Sequence, residues 1–276
     1  MRIAVVAPST PLEPELAQKV VALAKAEFPE VELAISPQCF LRHGHFAGED
    51  HVRAAAFVEA ANDPAFDAIW FARGGYGSCR IAEDVLAALT PAARDKTYLG
   101  YSDAGYLFGG LYRAGFPHVV HGPMLGDAKR RGGEGAMRRS LAWLARKAPH
   151  SLEGSLDAGV SRAAFNITVL SQLLGTALEP DLSGHVLMLE DVGEYMYRID
   201  RSLFHITSQA SIRRVAGIRF GRCTDVLEND PEFGAGAEDV IRHWCARSGI
   251  PYLGRADIGH DADNKIVPFG RRVDRG

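Results

Sequence analysis

The chain of 276 residues carries 31 Lys and Arg against 34 Asp and Glu, a net charge of −3 that argues against a generic nucleic-acid binder and a polybasic membrane-surface protein. Its composition, 47% hydrophobic with 29 Gly and 4 Cys, is that of a globular protein and excludes collagen-like, disordered and coiled-coil classes. The length allows one large or two small domains.

The first half alternates short apolar runs with helical patterns. Residues 3–7, 31–35, 68–72, 98–101 and 118–120 read as strands, and 16–28, 51–61, 80–89 and 105–114 as helices. Near-continuous apolar strands alternating with helices predict a parallel sheet covered on both faces, an α/β fold. Around 126–162 the pattern breaks into charged and glycine-rich stretches in which only 137–146 looks helical, so this segment reads as an interdomain connection. The second half resumes with a helix at 167–174, a strand at 186–189, a helix at 199–213 and a strand at 216–220. An amphipathic helix at 237–248 and a last strand near 252–258 complete it. The expected division is 1–126, a connection over 127–162, and a smaller α/β domain over 163–276.

Cys39, Cys79, Cys223 and Cys245 form no CxxC pair and no zinc spacing, so they read as thiols of a reducing compartment. The apolar run at 3–8 is too short for a signal-peptide core, and the longest uncharged stretch, 163–178, is too short and polar for a membrane span. These features predict a soluble cytoplasmic protein. His43, His45 and His51 cluster in one polar segment, but no carboxylate or cysteine stands at an orthodox partner spacing; no metal is expected.

Ligands of open parallel sheets bind beyond the carboxyl ends of the strands. The third strand ends in Arg73-Gly74-Gly75-Tyr76-Gly77-Ser78-Cys79-Arg80. This glycine turn lacks the last glycine of a dinucleotide fingerprint and the Gly-Lys-Ser/Thr of a phosphate loop. A nucleotide-binding protein using Gly74–Gly77 is nevertheless a rival reading. The fourth strand ends in Gly100-Tyr101-Ser102-Asp103-Ala104, small-x-Ser-x-small at a strand-to-helix junction, the form of a nucleophile elbow. Gly159-Val160-Ser161-Arg162-Ala163 also matches, but follows a polar stretch. The strand at 186–189 delivers Glu190 and Asp191 to its end, and His260 closes the last apolar run. Ser102, Glu190, His260 is the chain order of Ser–acid–His hydrolases, and the Asp103 N–H would suit an oxyanion hole.

Together these segments resemble the LD-carboxypeptidases, the muramoyl-tetrapeptide carboxypeptidase family. Arg73 to Ser78 with Arg80, Gly100 to Asp103 and His121-Gly122-Pro123-Met124 are similar to its N-terminal motifs. Leu189 to Glu194 with Tyr197 to Arg201 resembles its acidic motif, and Gly259-His260 with Pro268-Phe269-Gly270 its histidine segment. The resemblance implies a flavodoxin-like N-terminal domain, a smaller α/β domain and a homodimer. It also implies a cofactor-free serine peptidase with Ser102 as nucleophile, His260 as general base and Glu190 orienting it, with Asp191 and Glu194 as alternative acids. The implied oxyanion donors are the N–H groups of Gly75 and Asp103, and Arg80 is the candidate for the substrate's terminal carboxylate. The implied substrate is a cytoplasmic muropeptide that loses D-alanine in peptidoglycan recycling; the alternative is the peptidyl-nucleotide substrate of microcin-immunity peptidases. The chain departs from the family pattern at Ala164-Phe165-Asn166, where Gly-Gly-Asn is usual, and at Ala104-Gly105 after the elbow.

Overall fold

In the computed structural model, which describes residues 1–155 and 159–271, the strands β1 (Arg2–Val6), β2 (Glu32–Ile35), β3 (Ala68–Phe71), β4 (Thr97–Gly100) and β5 (Val119–His121) lie parallel. Their spatial order, 2-1-3-4-5, is that of a flavodoxin-like sheet. Helices α1 (Pro14–Glu27), α2 (Asp50–Asn62), α3 (Ala82–Ala88) and α4 (Gly105–Arg113) connect them. Successive strand side chains point to opposite faces, and here both faces are covered. In β1, Ile3 and Val5 join a core with Val20 of α1, while Ala4 and Val6 join a second core with Phe57 of α2. Trp70 and Phe71 of β3 divide in the same way, which is why these strands read as unbroken apolar runs.

The segment expected to connect two domains is largely built into the first. Helix α5 (Gly133–Arg146) begins four residues before its apolar pattern and buries Ala136, Met137, Leu141 and Leu144 beside α1. The second sheet is parallel throughout, in the order β6 (Arg162–Asn166), β7 (Val186–Val192), β8 (Gly217–Thr224), β9 (Tyr252–Arg255). Helices α6 (Ile167–Leu173), α7 (Met196–Ser208) and α8 (Ala237–Ser248) accompany it. A final short strand, β10 (Val267–Pro268), leaves this half and pairs antiparallel with β5 at the edge of the first sheet. The fold is thus α/β with two parallel sheets, stitched together by the last strand.

The halves also share one core. Phe108 of α4, Phe165 of β6 and Phe269 pack ring against ring, and Leu170 and Leu173 of α6 extend the cluster. Glycines on α4 permit the approach. A Cβ on Gly109 would stand 2.5 Å from Leu173 Cδ1 and 2.9 Å from the Leu178 carbonyl oxygen. Gly→Ala in an open helix gains up to about 1 kcal/mol. Gly109→Ala is expected instead to cost about 1–3 kcal/mol, because a backbone atom cannot give way. Gly135→Ala, whose Cβ would meet nothing within 4 Å, is the matched control and is expected to stabilise. Thermal unfolding of the two variants decides; a Gly109→Ala protein as stable as wild type or more so would show that the α4–α6 contact is not close-packed.

Candidate active site

β4 ends beneath the turn that carries Ser102. The chain passes from Gly100 through a 3-10 turn over Ser102–Ala104 directly into α4, and Ser102 takes φ 61°, a left-handed conformation unusual for a non-glycine residue. Such backbone costs about 1–3 kcal/mol and persists only where its surroundings enforce it. A Cβ on Gly100 would come within 3.0 Å of the Phe71 ring, and one on Gly105 within 2.8 Å of Val169, so both sides of the turn are crowded. The Asp103 carboxylate is buried beneath the turn, where it accepts hydrogen bonds from Ser9 Oγ and, at 2.8 Å, from Ser78 N. Ser78 Oγ donates to the Asp103 carbonyl. Burial pushes the Asp103 carboxyl above its ordinary range, against the pull of those donors.

The glycine turn lies against the same serine. A Cβ on Gly74 would be 3.1 Å from Ser102 Oγ. Thr10 Oγ1 donates to the Gly74 carbonyl at 2.5 Å, and a Cβ on Gly75 (φ 109°) would be 2.5 Å from Thr10 Cγ2. In a trans peptide the N–H points opposite the C=O, so tethering the Gly74 carbonyl to Thr10 turns the Gly75 N–H away from Thr10. Arg53, fully buried at the centre of this region, donates from Nη1 to the Gly77 carbonyl at 3.0 Å and to the Pro8 carbonyl, tying the two loops together. The turn leads only to a 3-10 turn at Ser78–Arg80 and the seven-residue α3, and Phe46 and Arg53 occupy the space beside Gly77. A nucleotide cradle needs an open loop over a helix N-terminus, and this packed turn does not offer one.

From the other half, β7 carries Glu190 to the interface and the loop after β9 brings His260 onto it. His260 Nδ1 donates to Glu190 Oε2 at 2.5 Å. That hydrogen bond puts the proton on Nδ1 and leaves the Nε2 lone pair available as an acceptor. Glu190 is fully buried, and among the described residues its Oε1 has no hydrogen-bond partner, so there the imidazole is the carboxylate's one partner. Burial disfavours the His260 imidazolium, but the charge and hydrogen bond of Glu190, with a contribution from Asp127, outweigh it and hold the ring above its ordinary pKa. The loop is clamped from both halves. Arg222 of β8 bonds Asp257 and Asp261, and Arg139 of α5 donates to the carbonyls of Ala262 (2.8 Å) and Asn264 (2.9 Å). His121 bonds Asn264 Oδ1 at 3.0 Å and packs edge-on to Tyr101; burial keeps its pKa low.

The alternative acids have other partners. Asp191 accepts from Asn166 Nδ2 (2.7 Å), Thr168 N (3.1 Å) and Thr168 Oγ1 (3.0 Å), closing the start of α6, whose N-cap is Asn166 itself. Burial, then the neighbouring Glu190 charge, raises Asp191 to about 6. Glu194 pairs with Arg198 at 3.5 Å. Ser161 precedes β6 rather than ending a strand, so it forms no elbow. Among the described residues no group of three or more His, Cys, Asp or Glu side chains could hold a metal ion. His45 packs on Phe46 and Tyr76, and His51 sits 3.4 Å from Glu49.

Ser102, His260 and Gly75 line one cavity of about 230 Å³, together with Gly74, Tyr101, Asp127, Arg73, Lys129 and Arg130. Arg80 does not line it. Its guanidinium pairs with Asp50 of α2 (Nη2–Oδ2 2.7 Å) and lies over the Phe46 ring, on the exposed side of the glycine turn. The cations that do face the cavity are Arg73, Lys129 and Arg130. No sequence signal singles them out, since Arg73 opens a glycine turn and the other two lie in a charged, glycine-rich stretch.

Models of the LD-carboxypeptidase N-terminal and C-terminal domains match residues 3–122 and 163–274. The chain belongs to the LD-carboxypeptidase family. It is 26% identical to the murein tetrapeptide carboxypeptidase of Pseudomonas aeruginosa, over 98% of this chain and 91% of that protein. A Synechocystis sp. protein named as a carboxypeptidase is 33% identical over 84% of this chain and 77% of its own length. In fold, this LD-carboxypeptidase family member superposes on the muramoyltetrapeptide carboxypeptidase of Oxalobacter formigenes with a TM-score of 0.82 at 24% identity, covering 98% and 93% of the two chains. The microcin C7 self immunity protein gives a TM-score of 0.78 at 17% identity over 98% and 91%. No helix among the described residues is long and apolar enough to cross a membrane.

Proposed function

We propose that this LD-carboxypeptidase family member is a serine peptidase that releases the terminal D-alanine from muropeptide tetrapeptides, with Ser102, His260 and Glu190 as its triad. The observation that carries the reading is a single cavity faced by both the strained Ser102 turn and the Glu190-bound imidazole. In this mechanism His260 Nε2 takes the Ser102 proton as Oγ attacks the carbonyl carbon before the terminal residue. The N–H groups of Gly75 and Asp103 receive the oxyanion, each worth about 3–4 kcal/mol of activation energy. His260 then protonates the departing amine, and water attacking the acyl-enzyme returns the serine. Glu190 fixes the imidazole tautomer and stabilises the imidazolium. The reading includes a cytoplasmic location, with which four unpaired cysteines agree, and a homodimer.

The name of the Pseudomonas aeruginosa relative supports the muropeptide substrate. The fold likeness to the microcin C7 self immunity protein, whose structures include a complex with aspartyl sulfamoyl adenosine, supports a second reading, hydrolysis of peptidyl-nucleotides. The relative's name, over 98% of this chain and 91% of that protein at 26% identity, favours the first over a likeness in fold at 18% identity. The purified protein is therefore expected to release D-alanine from L-Ala-γ-D-Glu-meso-diaminopimelate-D-Ala. Its kcat/KM there should exceed that for aspartyl sulfamoyl adenosine by about 100-fold. Cleavage of the nucleotide alone would transfer the assignment to the second reading.

A further inference from the structure

We propose that Arg73 and Lys129 hold the terminal carboxylate of the departing residue, and so make the cut an exopeptidase cut. The inference rests on the peptidase reading and adds the group that selects the substrate's end. Three cations and one carboxylate, Asp127, line the cavity beside Ser102. Asp127 is already saturated: Oδ1 accepts from Arg130 Nε (2.9 Å) and Tyr101 OH (2.9 Å), and Oδ2 from Met124 N (2.9 Å). Arg130 is therefore neutralised within the protein.

Arg73 and Lys129 are not. Arg73 Nη1 donates to the Pro11 carbonyl at 3.2 Å, and among the described residues no carboxylate pairs with its guanidinium. Lys129 has neither a hydrogen bond nor an ion pair among them. Arg73, Lys129 and Arg130 all face the Ser102 cavity. Partial burial, and then the charges of Arg73 and Arg130, disfavour the Lys129 ammonium, against a smaller pull from Asp127 and Glu13. A wall of three cations whose lining carboxylate already holds three hydrogen bonds is preorganised for an anion. The wall is close-packed there: a Cβ on Gly126 would be 3.2 Å from Arg73 Cγ and 3.3 Å from the Ala72 carbonyl oxygen.

Reach fits the chemistry. The scissile carbonyl and the terminal carboxylate are one residue apart, about 3.8 Å of chain, so the anion site must open into the Ser102 cavity itself. Arg73 directly precedes Gly74 and Gly75 and meets that condition, whereas Arg80 does not. An arginine fork beside a lysine charge suits a carboxylate, and it would also accept the acidic linkage of a nucleotidyl substrate.

The test compares the tetrapeptide with its C-terminal amide, using wild type, Arg73→Met, Lys129→Met and the double variant. Wild type is expected to prefer the acid by about 100-fold in kcat/KM, the worth of a charge-assisted contact pair. In the double variant the acid's kcat/KM falls far more than the amide's, and the preference drops below about 5-fold. Thermal unfolding temperatures should hold or rise, since a repulsion is removed. Equal losses on acid and amide, or no preference in wild type, overturn the clamp. Calorimetric binding of the acid to Ser102→Ala, with and without the double substitution, reads the clamp without turnover. Acid binding lost on substitution supports it even if the tetrapeptide is never cleaved, a result that would sink the peptidase reading alone. Binding of aspartyl sulfamoyl adenosine, but not of the acid, through the same two cations would overturn the carboxylate assignment.

Discussion

If Ser102 is the proposed nucleophile, Ser102→Ala is expected to leave a folded protein whose kcat for D-alanine release is lower by about 10⁵- to 10⁶-fold, the scale on which serine peptidases lose turnover with their nucleophile. Folding survives because alanine keeps the Cβ and the same backbone: among the described residues Ser102 Oγ makes no hydrogen bond on which the turn depends, while Asp103 ties it to Ser9 and Ser78. A second variant separates chemistry from strain. At φ 61° a glycine removes the steric penalty, so Ser102→Gly should be equally inactive yet about 1 kcal/mol more stable than Ser102→Ala. Turnover within tenfold of wild type in either variant would remove the serine from the reaction. A Ser102→Gly protein no more stable than the alanine variant would mean that the turn carries no strain.

Glu190→Gln is the second large effect. The amide retains shape, but its nitrogen can face Nδ1 and favour the wrong imidazole tautomer, which costs about 10⁴-fold in kcat in the known triads. The pH profile carries an independent signature. The proposed base His260 can take a proton only when neutral, and Glu190 holds its pKa above the ordinary 6.5, so wild-type kcat/KM should fall on the acid side of that raised value. In Glu190→Gln burial remains while the attraction is gone, so the acid limb of the residual activity moves to lower pH. The same sign governs stability. A folded-state pKa above the unfolded one stabilises fully below about pH 6.5 and less as pH rises through the folded value, a slope the variant should lose. An acid limb that stays in place would mean that Glu190 does not set the charge state of His260.

How much of this was legible follows from what each signal depends on. Strands β1 and β3 and helix α8 lie within a residue or two of their expected ranges, because their apolar runs or periods are long and end at sharp polar boundaries. β6 is not legible in the sequence, since it opens on Arg162 and follows a polar stretch, and only the fold buries that arginine. β10 has two residues and includes a proline tolerated at a sheet edge, too little for any pattern. α5 was started late because Gly133 and Gly135 read as loop. At the site, Ser102, Glu190 and His260 stood out because each closes an apolar run, and strand ends carry function in such sheets. Their convergence required the packing of α4 on α6, which no local motif encodes. Arg80 failed as a carboxylate ligand for the same reason: proximity in sequence to the glycine turn says nothing of Asp50, brought alongside by α2.

The return of β10 to the first sheet has a consequence for the order in which the molecule is made. During synthesis β5 is an open sheet edge, available for mispairing, until residue 268 has left the ribosome. The segment that closes that edge follows directly on the loop bearing His260 and Asn264, and Ile266 bonds back to Ser151. Sealing the edge and bringing His260 to Glu190 are therefore one late event. A nascent chain carries Ser102 long before His260 reaches the cavity, so under the proposed mechanism a truncated product would be both sticky and inert.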